Sequence, residues 1–379
     1  MDSPTLPETH RALILDAVGS PLHIESRQTP KVTPGSAVIK ILAAGVLSYS
    51  RDIYNGVRKY TLPTPSVPGN SAIGRVVAVG TDATKLKPGN LVLCDVYIRG
   101  RDDHSVGALS GIHDGLTDAS KKLMSGEWRD GTYAQYARLP LENCFPLNEK
   151  RLLGQPADGG LGYTVEELLY LSALLVPFGG LRDIGLNVCD TVLISPATGM
   201  FGSAAVHVAL AMGANVIAMG RSVDNLKKLK TTLSPTEERV QIVQITNNVE
   251  EEVEAIRKFG PVDAFFDISP PMAANSTHLK SALLSLRHSG RASLMGGQKG
   301  DISIPLSVVM HQNLTIKGKW MYERDDVLQL IKMVEAGALK LGSEAGCVTV
   351  GKFPLEKWQE AFDVAAEYSG PGEVVNIIP

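Results

Sequence analysis

Residues 191–222 read TVLISPATGMFGSAAVHVALAMGANVIAMGRS, and the way this stretch divides decides the fold. Thr191 to Ser195 is a short apolar run closed by turn residues, the pattern of a strand buried on both faces. A tight turn containing Gly199 and Gly202 follows, then an apolar helical run, then a second strand ending at Gly220. Backbone amides at the N-terminus of such a helix, reinforced by its dipole, form a site for a pyrophosphate. Gly199 lets the backbone approach the phosphates, and Gly202 lets the helix pack close on the strand. Ala197 stands where the first glycine of a GxGxxG fingerprint would fall, so the strand–turn–helix context carries the reading rather than the glycine count. Ala197, Thr198, Gly199, Met200, Phe201 and Gly202 are the expected contacts to a dinucleotide.

The end of the second strand selects between nucleotides. An acidic residue there would bind a ribose 2′-hydroxyl. Here the strand runs out through Gly220, Arg221 and Ser222, with no acid before Asp224. Arg221 can pair with a 2′-phosphate, Ser222 can donate to it, and Lys227 is within reach along the next helix. The expected cofactor is NADP(H).

Working outward, strand and helix patterns alternate beyond Ser222: VDNLKKLKTTL, VQIVQI, VEEEVEAIRKF, VDAFFDI, LKSALLSL and RASLMG. Buried strands separated by amphipathic helices predict a doubly wound parallel sheet, an α/β fold of the Rossmann type. Thr164 and Glu167 form a capping-box pair opening the helical TVEELLYLSALL. Upstream, SAVIKILAAGV, AIGRVVAVG and NLVLCDVYI are short strand-like runs with Gly/Pro punctuation, the text of a β-rich domain. The layout is a β-rich outer domain over residues 1–160 and 310–379, interrupted by a nucleotide-binding domain over 161–309.

Composition narrows the function classes. The 379 residues carry 44% hydrophobic and 20% charged side chains and a net charge of −3, ordinary for a globular protein. That charge argues against a nucleic-acid or anionic-membrane surface, and no apolar stretch reads as a membrane span. The four cysteines, Cys94, Cys144, Cys189 and Cys347, lie far apart and offer neither a disulfide framework nor a zinc cage. The polar segment Met1 to His10 has no secretory core. A reducing compartment, the cytoplasm, is the expected location.

With these features in place, the chain resembles the medium-chain dehydrogenase/reductase superfamily. AAGVLSYSRD, VPGNSAIGRVVAVG, LKPGNLVL, GTYAQYARLP, PATGMFGSAAV, LMGG and LTIKGKW occur in that family's order. The resemblance implies a GroES-like catalytic domain with an inserted Rossmann domain, pairing as a homodimer through the Rossmann sheet. It also implies that Ser269, together with Met295, Gly296 and Gly297, borders the nicotinamide. The family's zinc enzymes carry a cysteine in a GVCHTD-like segment and a GHE motif. Here Leu47 stands at the cysteine position, Gly69-Asn70-Ser71 replaces GHE, and Val176-Pro177 falls near the third ligand. Leucine has no lone pair and a carboxamide is a weak neutral donor, so no catalytic zinc is expected. Asp102, Asp103, His104 and His113 are a dense donor group, but in a Gly-rich loop they read as solvated or turn-capping residues.

Without the metal, either an already electrophilic substrate accepts hydride directly, or a side chain supplies the hydrogen bond and proton. The candidates cluster in the vacated segment: Tyr49 first, Tyr60 second, with Ser48, Ser50 and Tyr54 beside them. The expected activity is zinc-independent, NADPH-dependent hydride transfer to a polarised C=C (enone, quinone, enoyl) or C=O of a small apolar substrate. A nucleotide-binding regulator or structural protein without turnover, or a redox-neutral cyclase on the same fold, is the alternative.

Overall fold

The computed structural model describes residues 6–233, 236–298 and 300–379, so part of the N-terminal segment read above lies outside the described residues. Two compact units form: residues 1–172 with 349–369 and 373–379, and residues 173–348 with 370–372.

The first unit opens with a hairpin-like pair, β1 (Thr9–Ile14) and β2 (His23–Gln28), followed by β3 (Ser36–Val46). β3 is eleven residues long and buried along most of its length, because both of its edges are paired. One edge takes β4 (Ala72–Val79). The other takes β8 (Tyr136–Pro140) along Ser36 to Lys40 and β17 (Glu373–Ile378) along Ala44 to Val46. The apolar run NLVLCDVYI, which reads as a single strand, splits into β5 (Leu91–Cys94) and β6 (Tyr97–Arg99). The break falls after Asp95, whose amide still bonds the carbonyl of Asn143 at 2.8 Å in the register of the β5 ladder, while the next residues pair elsewhere. β7 (Gly107–Leu109) pairs β6, and β9 (Cys144–Pro146) pairs β5. Cys94 and Cys144 face each other across that last pair as buried free thiols, while Cys189 is exposed.

Short helices connect these strands. α1 (Ser50–Tyr54) follows β3 directly, and α2 (Asp118–Ser125) starts at a Thr117 capping box. α3 (Glu149–Leu153) is capped by Asn148. The capping box expected at Thr164 and Glu167 is present and opens α4 (Val165–Leu168), with the Glu167 carboxylate accepting from the Thr164 amide at 2.8 Å. The helical run then breaks at Leu169 and resumes as α5 (Tyr170–Asp183).

The second unit is the doubly wound sheet. Its strands are β10 (Thr191–Ser195), β11 (Asn215–Gly220), β12 (Val240–Gln244), β13 (Val262–Asp267), β14 (Leu286–Leu294) and β15 (Thr315–Gly318). They are all parallel, in the order β12-β11-β10-β13-β14-β15. The helices α6 (Met200–Ala211), α7 (Val223–Thr232), α8 (Val249–Arg257) and α9 (His278–Ser285) are the crossovers, and α10 (Leu306–His311) and α11 (Arg324–Glu335) follow. Leu193, Ile217, Phe265, Leu283 and Ala292 are fully or almost fully buried in the core against these strands. Burial on this scale stabilises by roughly 1.5–3 kcal/mol per large side chain.

One expected boundary is corrected. Residues 310–348 belong with the nucleotide-binding unit, not with the β-rich one, because β15 adds to β14 with Ala292 opposite Ile316 as the sixth parallel strand. The unit likewise starts near Ala173 rather than at 161. The chain then returns to the first unit through β16 (Val348–Pro354), α12 (Trp358–Glu367) and β17. On α12, Phe362 is buried against Trp358 and Tyr54, the packing face expected of that pair. Among the described residues no helix is long and apolar enough to cross a membrane.

Candidate functional site

The nucleotide half of the site is built where the strand order reverses. β10 lies between β11 and β13, so the crossovers leaving β10 and β13 run to opposite faces and open a crevice beyond their C-terminal ends. Ser195 pairs with Asp267 there. α6 begins at Gly199, whose φ of −82° is ordinary for any residue, so backbone freedom is not why glycine serves. A Cβ at Gly199 would meet nothing within 4 Å: the glycine faces open space at the helix start. Gly202 has the opposite reason, since a Cβ there would sit on the carbonyl of Pro196 and push the helix off the strand. The N-cap offers no side-chain oxygen, so the first amides of α6 have no cap. Open space in front of uncapped amides fits a pyrophosphate.

The other expected contacts are distributed around this turn. Ala197 is fully buried and its amide is spent on the carbonyl of Met219 at 2.8 Å, so its contribution is to shape the turn. Thr198, Met200 and Phe201 are half-buried beside it, and Gly220 ends β11 in the interior. Arg221 is exposed at that strand end, and its carbonyl accepts from the Gln244 amide at 3.1 Å. Ser222 caps α7 by accepting from the Asn225 amide at 3.2 Å, leaving its hydroxyl hydrogen to donate. Lys227 is exposed one turn along.

After β13 a buried polar network holds the next loop. His278 Nε2 lies 2.7 Å from Ser269 Oγ and 3.0 Å from Asp267 Oδ1, and the Ser269 hydroxyl also donates to Asp267. Met295 and Gly297 donate their amides to the carbonyls of Asp267 and Ser269 at 2.9 and 2.7 Å. Gly296 is required between them because a Cβ would strike Asp267 Oδ2. The segments 267–269 and 295–297 are therefore clamped together, a network that sequence reading missed because His278 is its keystone and lies on α9.

In the β-rich unit, β3 delivers residues 47–50 to the start of α1. Tyr49 is the N-cap residue, half-buried, with its phenol pushed up to about 12, chiefly by desolvation and then by Tyr60. It stays protonated at neutral pH and keeps its hydrogen to donate. Ser50 is buried and its Oγ accepts from the Leu47 amide at 3.0 Å, which makes it a turn residue. Ser48 is half-buried beside it. Tyr60 is brought close to Tyr49 by an intervening residue that the sequence reading did not single out. The Arg58 guanidinium lies 3.7 Å over the Tyr49 ring, and its Nη1 donates to Tyr60 Oη at 2.9 Å. His113 stands edge-on to the Tyr60 ring at 5.0 Å. Burial lowers the His113 pKa, and its Nδ1 accepts from the Gly115 amide at 2.8 Å, so the neutral ring carries its proton on Nε2. Tyr54, by contrast, is structural: its hydroxyl donates to the Gly111 carbonyl at 2.9 Å and accepts from the Gly69 amide at 3.2 Å.

The donor set where a zinc would be held does not suit that ion. Leu47 offers no lone pair. Asn70 is 6% exposed, and its Nδ2 has no partner among the described residues. Among the described residues no three His, Cys, Asp or Glu side chains converge as a metal site. Asp102, Asp103 and His104 are exposed, and Asp103 accepts from Ser105, a turn cap. Asn70 is nonetheless held firmly. Gly69 has φ of 109°, and the backbones of Gly111 and Gly131 pack against its carbonyl so closely that neither could carry a Cβ. Thr132 Oγ1 donates to the Asn70 carbonyl at 2.7 Å.

Comparison with known proteins agrees with this architecture. Residues 33–149 match the alcohol dehydrogenase GroES-like domain, and residues 201–336 match the zinc-binding dehydrogenase family. The chain is 25% identical over 341 residues to the L-threonine 3-dehydrogenase of Vibrio parahaemolyticus, covering 88% of this chain and 90% of that one. Among solved structures, a putative alcohol dehydrogenase from Sinorhizobium meliloti superposes with a TM-score of 0.73 at 22% identity, covering 99% and 98% of the two chains. A short chain alcohol dehydrogenase from E. coli CFT073, complexed with NADH, gives 0.77 at 17% identity, covering 98% and 100%. With a GroES-like unit and a parallel 3-2-1-4-5-6 nucleotide sheet in one chain, each matched by the corresponding family, the protein belongs to the medium-chain dehydrogenase/reductase superfamily.

Proposed function

We propose that this protein is an oxidoreductase that takes hydride from NADPH, without a catalytic zinc, and delivers it to a polarised C=C or C=O of a small substrate that is apolar around the reacting bond. The observation that carries the reading is the start of α6, with open space over Gly199 and uncapped amides at the reversal point of the sheet. The names of the matched relatives, alcohol and L-threonine dehydrogenases, support the reaction class.

When bound, the reduced nicotinamide supplies the hydride; the chain supplies everything else. The amides of α6 bind the pyrophosphate, and Arg221 with Ser222 meets the 2′-phosphate, which supports NADPH over NADH. The clamped loops at 267–269 and 295–297 would border the nicotinamide and hold its ring in place. Tyr49 donates a hydrogen bond to the substrate oxygen as negative charge develops there and then passes its proton, the polarising role that zinc fills elsewhere in the superfamily. A phenol with a raised pKa is a weak acid but a neutral donor, suited to an alkoxide or enolate product whose own affinity for a proton is comparable.

A second copy of the chain is the proposed partner. Among the described residues β15 is an edge strand of the parallel sheet, and Ile302, Ile304, Leu306, Met310 and Trp320, in the chain segments on either side of it, are exposed. An open edge flanked by apolar side chains favours pairing with another strand edge. The composition and the absence of any membrane-crossing helix among the described residues fit a cytoplasmic enzyme.

The test is NADPH oxidation against a panel of enones, quinones, aldehydes and ketones, with metal analysis of the same preparation. Turnover with less than 0.1 equivalent of zinc (on the order of trace occupancy) supports the proposal. Stoichiometric zinc, or tight NADPH binding with no oxidation of any acceptor, overturns it, the latter in favour of a nucleotide-binding protein without turnover.

A further inference from the structure

The turn after α1 gathers hydrogen-bond donors and leaves them short of an acceptor. Lys59 takes a left-handed φ of 57°, and the Arg58 amide donates to the Asp52 carbonyl at 2.8 Å, which folds Arg58 back over Tyr49. The guanidinium then lies between two rings, 3.7 Å from the Tyr49 centroid and 5.5 Å from that of Tyr60. Its stacking and its bond to Tyr60 Oη fix the plane of the fork. A guanidinium carries five N–H groups, and one goes to Tyr60. Because Tyr60 Oη accepts that bond, its own hydrogen is directed elsewhere. Tyr49 is held protonated, and His113 presents Nε2–H.

Among the described residues no carboxylate answers the Arg58 guanidinium. Asp114, the carboxylate beside His113, takes the Thr61 hydroxyl and forms no ion pair with Arg58. Two other half-buried arginines of this unit do have such a partner: Arg75 sits on Glu149 at 2.7 Å, and Arg138 on Glu127 at 3.2 Å. Arg58 has no carboxylate partner among the described residues. A half-buried guanidinium fixed in plane between two rings, without a carboxylate partner, is a receptor for one.

We infer that Arg58, flanked by Tyr49 and Tyr60, binds a carboxylate carried by the substrate, so that the substrate class is an unsaturated or oxo acid rather than a wholly neutral molecule. One fixed cation among neutral donors matches a single negative charge better than a dianion, and the planar fork can take both oxygens of a carboxylate. In its kinetic consequences the inference rests on the hydride-transfer reading above; in its binding consequences it does not.

The experiment separates the two. Benzoate, benzamide and inorganic phosphate are titrated by calorimetry into the full-length wild-type protein, Arg58→Gln and Arg58→Lys, each first shown to melt cooperatively. Benzoate is expected to bind the wild type and to weaken by about 10–100-fold in Arg58→Gln, the worth of a charge-assisted pair, with Arg58→Lys intermediate and benzamide indifferent. In parallel, 4-formylbenzoate and its methyl ester are compared as acceptors with NADPH. The acid-to-ester ratio of kcat/KM is expected to fall at least tenfold (roughly the same pair energy) in Arg58→Gln. Benzoate binding that is equal in wild type and Arg58→Gln, or phosphate binding tighter than benzoate at this residue, overturns the inference. Absence of NADPH oxidation with either aldehyde counts against the hydride-transfer reading alone, because the benzoate titration still decides the anion site.

Discussion

Gly199 and Gly202 stand three residues apart at the start of α6, and replacing each with alanine should have opposite consequences. At Gly202 a methyl carbon would lie 1.9 Å from the carbonyl oxygen of Pro196 and 3.0 Å from its carbonyl carbon. Both atoms are backbone, so relief requires α6 to move away from β10 by more than about 1 Å, given carbon contact distances near 3.5 Å. Overpacking of this kind costs about 1–3 kcal/mol. For a unit of this size that lowers Tm by roughly 3–10 °C. At Gly199 the methyl would enter open space, and the only loss is the N-cap preference of glycine over alanine, about 0.5–1 kcal/mol. Yet if the open space is where the pyrophosphate lies, that methyl takes up ligand volume and NADPH affinity should fall by about 10–100-fold, or 1.4–2.8 kcal/mol. Thermal unfolding without nucleotide and fluorescence titration with NADPH, run on both variants, read the two effects separately. Gly199→Ala binding NADPH within twofold of wild type would refute the placement of the phosphates, and Gly202→Ala melting with the wild type would refute the packing argument.

Arg221→Asp should reverse the preference from NADPH to NADH, by about tenfold or more from the lost phosphate pair alone, as read from the ratio of the two dissociation constants. Tyr49→Phe should lower kcat by about 10²-fold or more, in the range of general-acid contributions, with NADPH affinity intact; unchanged turnover would remove Tyr49 from the mechanism. Dialysis against a chelator should leave activity unaltered, and loss of activity restored by zinc would reverse the reading of Leu47 and Asn70. His207 is buried in α6, and burial lowers its pKa from 6.5 to about 4. The unfolded chain binds a proton here below pH 6.5 and the folded chain does not until about pH 4, so stability present above 6.5 is lost as pH falls between those values. His207→Leu should flatten that acid limb by roughly 2–3 kcal/mol across pH 7 to 4, measured by denaturant titration at each pH.

The nucleotide half was legible in the sequence because its determinants are local. A strand, a turn and a helix occupy consecutive residues, and the jobs of Gly199 and Gly202 follow from position within that unit. β15 was not legible, because four residues reading TIKG carry no periodicity, and only pairing with β14 makes them a strand. The single reading of NLVLCDVYI failed for a related reason: its first half pairs with residues 144–146 and its second with residues 107–109, partners that no local pattern names. In the β-rich unit, the importance of Tyr49 and Tyr60 rested on what the segment lacks, namely metal donors. What joins them, Arg58, depends on a left-handed backbone at Lys59, a conformation that lysine rarely signals. His113 was weighed only as a metal donor; its neutral tautomer is set by the Gly115 amide, which no spacing rule reveals.

The junction at Gly69 has a consequence for how such an enzyme changes over time. Three backbone segments meet there with no room for a methyl group, and the hydroxyls of Tyr54 and Thr132 tie the join. The frame that presents position 70 is therefore made of main chain, indifferent to what side chain that position bears. A substitution at Gly69, Gly111 or Gly131 cannot be absorbed locally, because the nearest atom a Cβ would meet at each is backbone. Chemistry at this site is thus the cheap variable and architecture the expensive one.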